Sequence, residues 1–258
     1  MEYKVITSRE NSLIKLISSL QSNASFRRKE NLFVIEGLRI CRDALDNGIR
    51  FDKLIISDTA FKKYSEELSL FETNSDELYK IPDSLFKKIS DTSSPQGIIA
   101  VLKMDFNKSQ IDLRGRYIAL ENVQDPSNLG AITRTAEAFG VSGILLSKDC
   151  CDPYSPKSLR ASMGTILRMP VIILEDFANQ IKTLTLKSFA CVVDSSAVSI
   201  KNIEFSDGSI VIIGNEANGI TEETKQASDT LVTIPMKGNV ESLNAAVAAS
   251  VAIWEMMK

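Results

Sequence analysis

From Tyr117 onward the chain alternates short apolar runs with longer helical patterns, and polar turns follow the apolar runs. Strands are expected at Tyr117–Val123, Gly143–Ser147, Val171–Leu174, Phe189–Val193, Ile210–Ile213 and Leu231–Pro235. Helices are expected at Asn128–Phe139, closed by Gly140, at Pro156–Leu167 and at Leu243–Met257. Strands that alternate with helices pair in parallel, and helices then cover both faces of the sheet. This is an α/β fold with a mostly parallel sheet. In such sheets ligands collect at the carboxyl ends of the strands, so chemistry is sought in the turns that follow them.

The first part of the chain reads as a smaller α/β unit. Leu13, Ile14, Leu16, Ile17 and Leu20 form a helical stripe within Asn11–Leu20. Leu32–Ile35, Lys53–Ile56 and Gly97–Leu102 read as strands, and Leu38–Leu45 as a helix closed by Gly48. The Lys/Glu/Phe-rich stretch before Gly97 leaves its helix boundaries open. Met104–Arg116 turns polar and reads as a linker. The expected division is a small domain at 1–104, a linker at 105–116 and a larger domain at 117–258.

The 258 residues include no histidine, which removes Ser-His-Asp and Cys-His catalysis and histidine-ligated zinc. No cluster has metal-ligand spacing, and no metal is expected. The four cysteines, Cys41, Cys150, Cys151 and Cys191, include no C-x-x-C pair and read as small buried residues of a reduced, cytoplasmic protein. No apolar run spans a bilayer, and Met1–Glu10 does not read as a secretory signal. The formal net charge of −3 does not advertise a nucleic-acid binder, although a local basic patch can sit on an acidic whole. Phe26-Arg27-Arg28-Lys29 is the densest basic cluster, and Arg114 with Arg116 and nearby Lys108 forms another.

Three turns carry polar residues directly after strands. In Glu121–Gly130, Asp125 suits a helix N-cap and Pro126 the first helical position. Asn128 and Arg134, six apart, are read as facing the same side of that helix. Arg134 sits among Ala131, Ile132, Ala136 and Ala138, so it must reach a partner or water, and the local sequence leaves both readings open. In Ile213–Ile220, Gly214 lets backbone approach a ligand and Glu216 stands at a strand end; an ordinary Gly/Asn-rich turn explains the same residues. In Ile234–Asn244, Ser242 is the expected N-cap of an alanine-rich last helix. Val247, Ala248, Val251, Ile253 and Trp254 make that helix apolar nearly all round, so it is expected to be enclosed by the fold or by a second subunit.

Together these strings resemble the SpoU family of RNA methyltransferases, of the SPOUT class. The matching segments are D-P-S-N-L-G-A-I-T-R-T-A-E-A-F-G at 125–140, I-V-I-I-G-N-E-A-N-G-I at 210–220 and I-P-M-K-G-N-V-E-S-L-N-A-A-V-A at 234–248, with S-P-K-S-L-R-A-S-M-G at 155–164. R-K-E-N-L-F-V-I-E-G at 28–37 resembles the small RNA-substrate-binding module that precedes the catalytic domain in this family.

The resemblance implies transfer of a methyl group from S-adenosylmethionine to a ribose 2′-hydroxyl of a structured RNA. It also implies a C-terminal trefoil knot and a homodimer with active sites at the subunit interface. By position, Gly214, Ile234 and Leu243 line the donor pocket, with Met236 and Ser242 beside them. Asn128, Ser242 and Asn244 position the ribose or Arg134, and Glu216 matches the acidic site position. The family implies that Arg134 assists deprotonation from across the interface. An arginine stays protonated below a pKa of about 12. The alternative is that it orients a phosphate and stabilises the alkoxide while water accepts the proton. Arg134, Arg160, Arg168 and the Arg27–Lys29 cluster are expected to form a positive funnel for RNA. Large-subunit ribosomal RNA is the expected target. The alternatives are transfer RNA, an inactive RNA-binding relative, or a nicotinamide-dependent oxidoreductase, which the absence of G-x-G-x-x-G disfavours.

Overall fold

The computed structural model describes residues 2–104 and 110–258. Among them, residues up to 104 together with Tyr154–Arg160 form one compact unit, and the remainder form a second. Residues 105–109 of the expected linker, Lys108 among them, lie outside the described residues.

The first unit runs β1 (Lys4–Val5), α1 (Ser12–Ser22), α2 (Ala24–Glu30), β2 (Leu32–Glu36), α3 (Leu38–Asp46), β3 (Phe51–Ser57), α4 (Asp58–Lys63), α5 (Ser65–Thr73), β4 (Ser75–Ile81), α6 (Asp83–Ile89) and β5 (Ile98–Lys103). Its sheet has the order β1-β4-β3-β5-β2; β1, β4 and β3 are parallel, and β5 is antiparallel to both its neighbours. The stripe read in the sequence is the buried face of α1. Ile14, Ile17 and Leu20 pack with Phe86 and Ile89 of α6 on Val34, Ile55 and Ile99 of the sheet. Each fully buried side chain of this size stabilises the unit by about 1.5–3 kcal/mol. Asn11 starts α1 by accepting the Leu13 N–H at 2.9 Å. Gly48, at φ +76°, ends α3 with the Ile49 N–H returning to the Ala44 carbonyl.

The basic cluster at the end of α2 divides. Arg27 is buried, and its guanidinium donates to the Leu20 carbonyl and, at 3.2 Å, to the Gln21 carbonyl, groups that the end of α1 leaves unpaired. It is therefore withdrawn from the expected RNA funnel, while Arg28 and Lys29 stay exposed. Arg27→Ala should lower stability by about 1.5–3 kcal/mol, read as a drop in Tm. RNA affinity of the folded protein should be unchanged; lost RNA binding at an unchanged Tm would return Arg27 to the footprint. Arg160 is likewise committed, to Asp91.

The second unit runs β6 (Arg116–Leu120), α7 (Pro126–Phe139), β7 (Gly143–Ser147), β8 (Val171–Leu174), α9 (Phe177–Thr183), β9 (Lys187–Cys191), β10 (Val198–Ser199), β11 (Ser209–Ile213), α10 (Glu222–Ala227), β12 (Thr230–Thr233) and α11 (Ala245–Met256); α8 (Pro156–Ala161), between β7 and β8 in the chain, belongs to the first unit up to Arg160. Its sheet has the order β10-β12-β9-β11-β6-β7-β8, and every pairing is parallel. Alternate residues of the central strands point to opposite faces. Tyr117, Ala119, Ile210 and Ile212 pack with Phe177 and Ile181 of α9. Ile118, Leu120, Val211 and Ile213 are equally buried, on the face where α11 lies against β6, β11 and α7. Both faces are thus covered.

Three expectations are corrected here. The helix expected at Pro156–Leu167 breaks, because Met163 and Gly164 are left-handed at φ 51° and 83°; only Thr165–Leu167 continues, as a 3₁₀ turn. Arg116 is not a free cation: it donates to the Met256 carbonyl at 2.7 Å and pairs with Asp207 at 3.3 Å, so it fastens the end of α11. Arg168 forms a two-point pair with Glu137 at 2.5 and 2.8 Å, which holds that carboxyl below the usual range and occupies the arginine. The fold alone does not enclose α11, since Trp254 is 53 % and Val247 49 % exposed, which leaves cover by a second subunit as the standing expectation. No helix among the described residues is long and apolar enough to cross a membrane.

Candidate active site

The three polar turns sit at the carboxyl ends of β6, β11 and β12, whose neighbours in the sheet bring them together. The first turn enters α7 as read: the Asp125 side chain accepts the Ser127 N–H at 2.9 Å and Pro126 follows. Gly130, one turn in, has no room for a side chain; a Cβ there would stand 2.5 Å from the Ala161 carbonyl carbon. This close approach places Asn128, buried at 8 % exposure, at the inner start of the helix.

The second turn is pinched. The Asn215 N–H donates to the Gly219 carbonyl at 3.0 Å and the Gly219 N–H returns to Asn215 at 2.9 Å. Gly214 lies against this bridge: a Cβ would fall 2.2 Å from the Gly219 carbonyl carbon and 2.5 Å from the Ile220 nitrogen. The close approach expected of Gly214 is therefore to its own loop. The third turn starts α11 with a different cap from the one expected. Asn244, not Ser242, accepts the N–H groups of Ala246 at 2.9 Å and Val247 at 3.3 Å. Ser242 stays exposed two residues earlier.

Two amides and one carboxylate then join the loops. Asn244 Nδ2 donates to Asn128 Oδ1 at 3.1 Å, and Asn128 Nδ2 donates to Glu216 Oε1 at 2.6 Å. Each link comes from a different turn, so the relay fixes all three relative to one another. A hydrogen bond to an ionised acceptor is roughly twice as strong as a neutral one. Glu216 is therefore the anchor of the set.

Beside the relay lies a cavity of about 680 Å³. Gly214, Ile234, Met236, Ser242 and Leu243 all line it, as does Glu216. Asn128 and Asn244 are not among its lining residues and reach it through Glu216. Arg134 is apart from these. Six residues turn a helix by about 600°, which leaves Arg134 about 120° from Asn128. It is exposed, and no hydrogen bond or ion pair joins it to a described residue. The expectation that the two face the same side is thereby corrected.

The cavity also takes in Cys191, the last residue of β9, and Asp194 beyond it, with Lys225 and Glu241; the sequence reading gave Cys191 a structural place only and did not single out the other three. The strand-end rule applied to β9 points to the first two. Burial pushes the Cys191 thiol up to about 12.

A polar cavity walled by consecutive strand-end loops of a parallel sheet defines a small-molecule site of the open α/β class. Residues 115–254 match the model of the SpoU rRNA Methylase family, and the chain belongs to that family. Residues 11–100 match the MRM3-like substrate binding domain. An uncharacterized tRNA/rRNA methyltransferase of Synechocystis is 32 % identical, covering 97 % of this chain and 92 % of its own. The 23S rRNA (guanosine(2553)-2′-O)-methyltransferase RlmP of Bacillus subtilis is 29 % identical, covering 98 % and 99 %. The crystal structure of an AdoMet-bound rRNA methyltransferase from Sinorhizobium meliloti superposes with a TM-score of 0.84 at 27 % identity, over 98 % of this chain and 97 % of that one.

Proposed function

We propose that this chain transfers a methyl group from S-adenosylmethionine to a ribose 2′-hydroxyl of ribosomal RNA, in the large subunit. The observation that carries this reading is a cavity walled by the loops after β9, β11 and β12, with Glu216 in its lining and the Asn244–Asn128–Glu216 relay tying the turn after β6 to it. The family and the activities named for its relatives support ribosomal RNA as the substrate. The cavity suits the donor. Its volume lies within the roughly 300–1,000 Å³ of small-molecule sites. The donor's ammonium and sulfonium are cationic, and Asp194, Glu216 and Glu241 offer carboxylates; Lys225 offers a cation to the donor's own carboxylate. Ile213, Ile220, Leu231 and Ile234 offer apolar surface to an adenine. A protonated Cys191 is a poor nucleophile, which suits a sulfur beside an alkylating methyl.

When bound, the donor supplies an electrophilic methyl that the 2′-oxygen takes from sulfur, releasing S-adenosylhomocysteine as the hydroxyl proton leaves. The relay holds Glu216 and, through Asn244, the start of α11. Orienting the hydroxyl in line with the methyl contributes up to about 7–11 kcal/mol in ideal cases. As a guanidinium cation, Arg134 steadies the developing alkoxide or a neighbouring phosphate, and the proton passes to water. Its position away from the cavity of its own subunit supports action on a partner's site. A homodimer is the matching assembly: Phe139 and Trp254 stack edge-to-face with centroids 5.5 Å apart, and both are exposed, with Val247 exposed on the same helix as Trp254. We infer that α7 and α11 form its interface, and that the C-terminal segment is threaded as a trefoil knot. The return of α11 to the middle of the sheet, after the chain has run out to β12, supports that path. A ribosomal substrate places the protein in the cytoplasm.

Deleting the gene and mapping 2′-O-methylation across total RNA tests the activity: one large-subunit site should disappear and return with the wild-type gene. An unchanged map would overturn the assignment. Trp254→Glu should convert the dimer to a monomer in size-exclusion chromatography with light scattering, with methylation lost and donor affinity kept. A dimer that survives the change places the interface elsewhere.

A further inference from the structure

The relay explains how the three turns meet but not what holds the loop that carries Glu216. That loop is bare backbone between β11 and α10, and it is held at both ends by two neighbouring residues at the end of β6. At its near end, Asn215 Nδ2 donates to the Asn122 carbonyl at 2.8 Å. The same Asn215 side chain accepts, through Oδ1, the N–H groups of Ala217 at 2.9 Å and Asn218 at 3.1 Å, which fixes the turn containing Glu216. At its far end, the Glu121 carboxylate accepts the Thr221 N–H at 2.9 Å, the Thr221 hydroxyl at 2.7 Å and the Thr224 hydroxyl at 2.6 Å.

The clamp is itself braced. Glu121 is 4 % exposed, and these three donors supply the hydrogen bonds its buried oxygens need. Asn122 is left-handed at φ 56°, a conformation Asn tolerates better than most residues. Ser147, at the end of β7, holds it there: the Asn122 N–H donates to Ser147 Oγ and the Ser147 hydroxyl donates to Asn122 Oδ1, both at 2.9 Å. Asn215 lines the donor cavity, whereas Glu121, Asn122 and Ser147 do not. Their effect on chemistry runs through the loop.

The structure assigns Asn215, with Glu121 and Asn122, as the positioning residues that set Glu216 for methyl transfer. This rests on the reading of Glu216 as a site residue. A displacement of about 1 Å at a catalytic group can lower a rate by about a hundredfold, and a loop tied at its two ends by four hydrogen bonds and braced within by two more resists such a shift.

Asn215→Asp separates the two duties of that side chain. An aspartate still accepts the Ala217 and Asn218 N–H groups but presents an oxygen, in place of N–H, to the Asn122 carbonyl. Methyl transfer from S-adenosylmethionine to ribosomal RNA by the full-length protein should fall about 10- to 100-fold in kcat, with KM for RNA and Tm unchanged. Ser147→Ala, which leaves the cavity lining intact, should lower kcat in the same direction. In a Glu216→Gln background, Asn215→Asp should add no further loss, because two residues acting through one group are not additive. A wild-type kcat in Asn215→Asp, or a full additional loss in the Glu216→Gln background, overturns the positioning role. If Glu216→Gln alone leaves kcat unchanged, the site assignment falls and the positioning role falls with it.

Discussion

Replacing Arg134 with alanine should lower methyl transfer by about 10²–10³-fold, the loss expected when one donor to a developing oxyanion is removed, while donor affinity stays at the wild-type value. Both halves follow from where the residue stands. Arg134 is absent from the donor cavity lining and exposed on α7, whose inward residues Leu129, Ile132, Thr133 and Ala136 carry the packing. The substitution therefore removes no internal contact, and calorimetry should show normal binding of S-adenosylmethionine. Arg134→Lys keeps the charge but not the planar fork, so partial activity would indicate simple charge stabilisation and full loss a two-point grip. Action across the interface has its own signature. Mixing Arg134→Ala with Glu216→Gln subunits should create dimers with one complete site and restore activity that neither homodimer has. If Arg134→Ala methylates at the wild-type rate, the residue leaves the mechanism.

The second large effect is expected at Gly214. A methyl group there meets only backbone: the Gly219 carbonyl carbon at 2.2 Å, its oxygen at 2.4 Å and the Ile220 nitrogen at 2.5 Å. No side chain can swing aside, so Gly214→Ala must open the Asn215–Gly219 bridge and carry the loop, with Glu216, away from the relay. Overpacking of this kind costs about 1–3 kcal/mol. If that cost falls on the bound form, donor affinity drops by about 10- to 100-fold, measurable by titration calorimetry. Wild-type affinity in Gly214→Ala would remove this loop from the donor wall.

Much of this architecture was legible because its signals are local. Asp125, Pro126 and Gly140 mark the two ends of α7 through their own backbone chemistry, and Gly143–Ser147 and Val171–Leu174 are apolar runs bounded by polar residues. Where two cap formers stand two residues apart, as Ser242 and Asn244 do, sequence cannot choose, and tertiary pairing with Asn128 favoured the second. The β4 strand escaped notice because Ser75, Leu78 and Ile81 are its buried residues, a spacing of three that mimics a helix. The break at Met163 was hidden because a left-handed methionine has no sequence signature. Among the site residues, the loops that carry them were evident as strand ends. Their order of contact was not. That Asn128 and Asn244 stand behind Glu216, and that Arg134 points elsewhere, depends on strand order in the sheet rather than on spacing along the chain.

The relay spans the chain from Asn128 to Asn244, and its last member caps the final helix. The donor wall therefore closes only once residues 128–244 have all been made.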